Sequence, residues 1–201
     1  MFLAGKKANA LGHIVLLDPV GAGASRLRTD TANRLMREVR FDAVRGNISE
    51  IKTLCTGSGS TKGVDADAVD AVTEANLDDG VALVKAFAKR AGCIVAVTGA
   101  IDLVSDGERC WCIRNGRAEM SRITGTGCQL SALMTAFLVA NPDHKLAAAA
   151  AAVCMMGLAG EIGWANMQPG DGNSTYRNRI IDAIFNMTSD ALEEGAKYEL
   201  R

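Results

Sequence analysis

The stretch His13-Ile14-Val15-Leu16-Leu17-Asp18 is a continuous apolar run ending in a carboxylate, and Pro19 and Gly21-Ala22-Gly23 break the chain directly after it. An apolar run without alternation is the pattern of a parallel strand covered on both faces. Its charged tip then stands at the carboxyl end, where open α/β sheets bind ligands. The same grammar recurs outward from this stretch. Thr31–Arg40 predicts a helix with Leu35, Met36 and Val39 on one face and Arg34, Arg37 and Glu38 on the other. Phe41–Val44 predicts a short second strand, and Arg45-Gly46-Asn47 a turn into a helix carrying Ile48, Ile51 and Leu54. Thr56–Gly63 reads as a Gly/Ser/Thr loop. Asn76–Arg90 is amphipathic, and Cys93–Val97 is a third strand ending in the turn Thr98-Gly99. Strands alternating with helices imply an α/β layered fold, with a mostly parallel central sheet flanked by helices.

The second half carries different signals. Asp106-Gly107 and Asn115-Gly116 predict hairpin turns, hence a small hairpin or meander at one sheet edge. Thr124-Gly125-Thr126-Gly127-Cys128 opens an apolar helix reaching about Ala140, and Lys145–Ala165 forms an alanine-rich one. The uncharged part of the latter, Leu146–Gly160, is shorter than the ~20 residues of a membrane span. It reads as a buried helix whose small side chains admit close neighbours. Gln168–Asn178 reads as a polar loop, and Asn178–Tyr198 as a last helix with Ile180, Ile181, Ile184, Phe185 and Leu192 inward. Without internal repeat or linker, residues 1–201 read as a single domain.

Composition excludes several classes. With 48% hydrophobic and 22% charged residues in 201, disorder and disulfide-scaffold folds are ruled out. Lys plus Arg is 22 and Asp plus Glu 23, a balance that gives no pull toward nucleic acid or an anionic membrane. Aromatics at 4% are too sparse for a base-stacking platform. Six cysteines without a CxxC pair read as reduced thiols of a cytoplasmic protein. The opening Met1–Ala10, with Lys6 and Lys7 after few apolar residues, does not read as a secretory signal.

Neither GxxxxGK[ST] nor GxGxxG after a strand is present, so phosphate chemistry has to be argued from a constellation. Asp18 and Glu50 both follow strand ends and suit Mg²⁺ bound through oxygens or waters. Arg45 and Thr98 suit phosphate oxygens. The plainer readings stand beside these: Asp18 as a turn cap, Glu50 as part of a capping box, Arg45 as a surface ion pair. The glycine turn before Cys128 and the helix it opens form an anion cradle. Cys128 differs from the other cysteines in lying in a first helical turn, where the dipole favours thiolate.

Taken together, Asp18-Pro19-Val20-Gly21-Ala22-Gly23-Ala24, Arg45-Gly46-Asn47 with Glu50, Val97-Thr98-Gly99 and Thr124–Leu130 resemble the hydroxyethylthiazole kinase family, in order and approximate spacing. The resemblance covers nearly the whole chain. It implies a ribokinase-like fold, a homotrimer, and Mg-ATP-dependent phosphorylation of the hydroxyl of 4-methyl-5-(2-hydroxyethyl)thiazole in thiamine salvage. It implies Asp18 and Glu50 near Mg²⁺ and the phosphates, and Arg45, Asn47, Thr98 and Gly127 at ATP. It also implies Gly125 at the thiazole, and Cys128 as the catalytic group where ribokinase-like relatives usually carry Asp. That difference at 128 argues against a pyrimidine alcohol kinase and against an ATP-dependent hydrate dehydratase. The family chain is longer by about seventy residues at its start. The resemblance therefore leads one to expect a truncated chain, an open apolar edge at Ile14–Leu17, and an inactive assembling subunit as the rival reading.

Overall fold

The computed structural model describes residues 1–56 and 71–201. The chain divides into two compact units, residues 1–110 with Arg201, and residues 111–200. The predicted loop beyond Thr56 falls outside the described residues.

The first unit opens with helix α1 (Phe2–Ala10) and strand β1 (Leu16–Leu17). β1 is shorter than the apolar run predicts. At Val15 the N–H goes to the Asp42 carboxylate at 2.9 Å and the carbonyl accepts from the Asp42 N–H, so regular pairing starts one residue later. Helix α2 (Arg26–Glu38) begins five residues earlier than expected, because Ser25 caps it by accepting from the Arg28 N–H. It ends where Val39 turns extended, and it buries Ala32 and Leu35. β2 (Ala43–Asn47) leads straight into α3 (Ile48–Thr56), and α4 (Leu77–Ala91) precedes β3 (Ile94–Thr98) and β4 (Asp102–Ser105). Pairing is parallel for β1 with β2 and β2 with β3, and antiparallel for β3 with β4. Arg45-Gly46-Asn47 is therefore strand, not turn: Arg45 pairs with Ala96, Gly46 with Val97 and Asn47 with Thr98. β1 has one strand partner among the described residues of this unit, and Ile14, Val15 and Leu16 keep partial exposure while Leu17 is buried. The core is aliphatic, with Val44, Ile51, Val84, Val95, Ala96 and Leu103 fully buried.

The chain enters the second unit within β5 (Cys110–Ile113). Asp106-Gly107 makes the tight turn predicted, closed by the Asp106 N–H on the Arg109 carbonyl. Asn115-Gly116 does not make a hairpin. The Asn115 side chain donates to the Gly195 carbonyl and accepts from the Lys197 N–H, the Gly116 N–H donates to Glu161, and the chain runs into a 3₁₀ turn at Ala118–Arg122. The partner of β5 in this unit is instead β6 (Tyr198–Leu200), with Ile113 opposite Tyr198 and Cys112 opposite Glu199. The single last helix predicted is thus two, α7 (Asn173–Phe185) and α8 (Ser189–Gly195), followed by that strand. Thr188 starts α8 by accepting from the Ala191 N–H. Of the residues expected inward, Ile180 is fully buried, but Ile181 is 46% and Phe185 87% exposed. The buried stripe is Tyr176, Ile180 and Ala183.

Helices α5 (Thr126–Ala140) and α6 (Lys145–Ala165) stand as predicted. α6 is long and apolar enough to cross a membrane by length and composition, yet 72% of its most apolar window is buried inside the protein. Its small residues are the reason. A Cβ on Gly157 would come within 2.7 Å of Asn115, and one on Gly163 within 3.2 Å of the Ile180 backbone. The Tyr176 hydroxyl closes this packing with a 2.9 Å hydrogen bond to the Gly160 carbonyl.

Candidate functional site

Register builds the cluster in the first unit. Paired residues point to the same face of a sheet and faces alternate along a strand. Arg45, Asn47 and Thr98 share one face, and Asp102 joins them because its neighbour Leu103 pairs with Val97 on the other. Asp18 follows directly after β1. The side chains meet. Arg45 Nη1 lies 3.2 Å from Asp18 Oδ2, and Nη2 donates to Thr98 Oγ1 at 3.0 Å. The Arg45 and Asp18 side chains are 13% and 17% exposed, so this ion pair is largely shielded from water. Arg45 Nε is buried with no hydrogen-bond acceptor among the described residues.

Glu50 is buried, at 4% exposure. Its Oε1 accepts from the Gly21 N–H and its Oε2 from the Asn47 N–H, both at 2.8 Å. Asn47 Oδ1 accepts in return from the Glu50 N–H, completing a capping box at the start of α3. The capping reading of Glu50 is therefore correct, and it ties the Asp18–Gly23 loop to β2. Burial pushes the Glu50 carboxyl upward, with the two backbone N–H bonds opposing; the nearby Asp18 charge raises it further and Arg45 lowers it. Asp18, Arg45 and Glu50 thus lie in one electrostatic neighbourhood.

Asp102 is a residue that no motif in the sequence singles out. Its Oδ1 accepts from the Gly99 N–H at 2.8 Å, bridging the β3–β4 connection. Desolvation pushes its carboxyl up to about 7, against the Gly99 bond and the Arg45 charge. The signal available was Thr98-Gly99 followed three residues on by Asp, a side chain able to reach back to a turn amide.

The second unit holds the other residues. Gly125 is the N-cap of α5 at φ +97°, a backbone conformation that favours glycine, and it supplies no side-chain oxygen to the first-turn N–H groups. The first helical bond runs from the Gln129 N–H to the Gly125 carbonyl at 3.0 Å. Gly127 and Cys128 sit in that first turn. All six cysteines are free thiols. Cys128 is the exposed one, whereas Cys110, Cys112 and Cys154 are buried and burial holds the Cys93 thiol up at about 11.

Among the described residues no group of three or more His, Cys, Asp or Glu could cage a metal. Asp18 and Glu50 fit a different kind of ion. Mg²⁺ is commonly held by one or two carboxylates together with substrate phosphates, keeping several waters. Glu50, with both oxygens engaged by backbone N–H groups, suits contact through such waters.

Comparison with solved structures defines the class. The chain superposes on the pyridoxal kinase of Staphylococcus aureus with a TM-score of 0.56 at 17% identity, over 99% of this chain and 66% of that one, which establishes a ribokinase-like α/β fold. A hydroxyethylthiazole kinase from Pyrococcus horikoshii OT3 superposes with a TM-score of 0.84 at 28% identity, over 100% of this chain and 70% of that one. The model of the "Hydroxyethylthiazole kinase family" matches residues 1–190. Hydroxyethylthiazole kinases from Clostridium acetobutylicum and Clostridium beijerinckii are 51% and 45% identical, over 99% and 96% of this chain and 73% and 69% of their own lengths. The chain belongs to the hydroxyethylthiazole kinase family.

Proposed function

We propose that this chain transfers the γ-phosphoryl group of Mg-ATP to the hydroxyl of 4-methyl-5-(2-hydroxyethyl)thiazole, in thiamine salvage, as a cytoplasmic homotrimer. The observation that carries the reading is the Asp18–Arg45–Thr98 cluster contributed by three neighbouring parallel strands and the residue that follows the first of them, in a member of this family. Phosphoryl transfer needs little covalent chemistry from a protein; it needs charge and position. Arg45 offers its unpartnered Nε to a phosphate oxygen, and the Thr98 hydroxyl and the Asn47 side chain stand on the same face to orient the nucleotide. Asp18 and Glu50 would hold Mg²⁺ beside the phosphates, where the ion neutralises charge. In the second unit, the α5 start at Gly125–Gly127 offers backbone N–H groups to the transferring group, and Gly125 borders the thiazole. Cys128 accepts a hydrogen bond or the proton of the alcohol as its oxygen bonds to phosphorus and the bond to ADP breaks.

The test is phosphorus NMR of the purified full chain with Mg-ATP and the thiazole alcohol. A thiazole monophosphate with equimolar ADP is expected. Turnover of a pyrimidine alcohol in its place would overturn the substrate, and a folded chain that turns over neither would identify an inactive subunit.

A further inference from the structure

Asp102 faces the same neighbourhood as Arg45 and belongs to none of the roles assigned above. We infer that Asp102 is a positioning residue for phosphate recognition: through the Gly99 N–H it holds the turn that sets the Thr98 hydroxyl against Arg45, and its charge competes with phosphate for that guanidinium. The inference rests on the reading of Arg45 and Thr98 as ATP-binding groups.

Geometry carries it. Only Gly99, Ala100 and Ile101 connect β3 to β4, and the Asp102–Gly99 bond spans them at 2.8 Å. Thr98, the residue before this turn, is the one whose hydroxyl meets Arg45 Nη2. With Nη1 on Asp18, the orientation of the whole guanidinium, and so the aim of its unpartnered Nε, depends on both contacts. The charged groups around this end are Arg45 on β2, Asp18 after β1, Glu50 on α3 and Asp102 on β4. Three carboxylates around one guanidinium repel a nucleotide if all are ionised. The cluster accepts an anion better when Asp102 keeps its proton, and its carboxyl, raised to about 7, does so in mildly acidic solution.

The experiment compares wild type, Asp102→Asn and Asp102→Ala as full chains. It measures the Kd of Mg-ATP by calorimetry between pH 6 and 8.5, and KM and kcat for both substrates. Asn keeps an acceptor for Gly99 without the charge; Ala loses both. Wild-type affinity for ATP is expected to fall about threefold to tenfold as pH rises through 7. Asp102→Asn should flatten that profile while keeping tight binding. Asp102→Ala should raise the KM of ATP by ~10-fold, the equivalent of one lost hydrogen bond, with the KM of the thiazole little moved. Wild type that binds ATP, with variants that share its Kd and pH profile, overturns the inference alone. An Ala variant altered only in melting temperature does the same. Wild type that binds no ATP overturns the kinase reading and the inference with it.

Discussion

The Asp18–Arg45–Thr98 cluster and the Gly125–Cys128 turn are built in opposite ways. In the first, side chains from successive strand ends hold one another: Arg45 is fixed by Asp18 and Thr98, and Glu50 is fixed by two backbone amides. In the second, backbone shapes most of the turn, and the side-chain contact within it is a long one, the Thr126 hydroxyl on the Ile123 carbonyl at 3.5 Å. Its N-cap is a glycine without a side-chain hydrogen bond, and its thiol is exposed. The contrast suits the roles proposed for each. Groups that meet the charge of ATP are effective when already oriented, since they then cost no reorganisation during reaction. A group that takes and returns a proton needs access more than rigidity. Substitutions in the two regions should therefore fail differently.

The largest effect is expected at the second region. Cys128→Ala removes the thiol and keeps the turn, so kcat should fall ~10²–10⁴-fold while ATP affinity and melting temperature stay near wild type. Cys128→Asp should retain turnover, because aspartate is ionised at neutral pH and a helix N-terminus favours its charge. Stopped-flow kinetics with calorimetric ATP binding separates the two. Full activity in the Ala variant would reduce Cys128 to packing, and equal loss in both would move the base elsewhere.

In the first region binding and stability should fail together. Arg45→Met removes both side-chain contacts and leaves Asp18 in a shielded site without its guanidinium. A fully buried pair broken this way costs ~3–5 kcal/mol; with 13% and 17% exposure remaining, about 2–3 kcal/mol is expected. ATP affinity should drop by roughly two orders of magnitude, as for loss of a charge-assisted contact. Removing Asp18 as well should restore part of the stability but none of the affinity, which urea denaturation and calorimetry can read. Affinity lost at unchanged stability would mean that the cluster is not mutually locked.

How far these regions could be read from the sequence depends on how local their causes are. Helices α4, α5 and α6 carry strong periodicity or uninterrupted apolar composition, and they lie within a residue or two of expectation. The capping box at Asn47 and Glu50 is a local spacing and was legible. Arg45-Gly46-Asn47 reads as a turn because a charge and a glycine interrupt the apolar run; its extended form comes from pairing with β3, some fifty residues on. β6 is three residues long, and its partner Trp111–Ile113 lies far back in the chain, so no local pattern announces it. Asp102 was missed for a similar reason. Its meaning comes from sharing a face with Arg45, a fact of register rather than composition.

A smaller effect separates the regions by pH. Asp102 and Glu50 both have carboxyls raised by burial, Asp102 to about 7. Between the ordinary carboxylate range near 4 and pH 7 the folded chain keeps a proton that the unfolded chain has released. Stability is therefore fullest below pH 4 as far as this group is concerned, and it is lost as pH rises through 7. The urea midpoint should fall from pH 5 to pH 8, and Asp102→Asn should flatten the slope. A slope unaltered in that variant would assign the dependence to Glu50.

The smallest expected difference is the sharpest comparison, because one substitution can be made in both regions. Gly21 and Gly125 both have positive φ, at 72° and 97°, so alanine at either carries a backbone cost of ~1–2 kcal/mol. Their surroundings differ. A Cβ on Gly125 meets nothing within 4 Å, whereas one on Gly21 would lie 2.7 Å from Arg28 Nη1 and 2.9 Å from its Cδ. The end of an arginine can swing away, so this crowding adds little by itself. The Gly21 N–H, however, donates to Glu50 at 2.8 Å, and any shift of the loop that relieves the crowding loosens a buried carboxylate. Gly21→Ala should therefore be the more destabilising by a few tenths to ~1 kcal/mol, and it should shift the pH dependence of stability. Gly125→Ala should cost the backbone term alone and leave that dependence in place. Paired urea titrations at pH 5 and pH 8 read both quantities. If the two variants lose equal stability with equal pH slopes, the Gly21 loop is held no more tightly by Glu50 than the Gly125 turn is by open space.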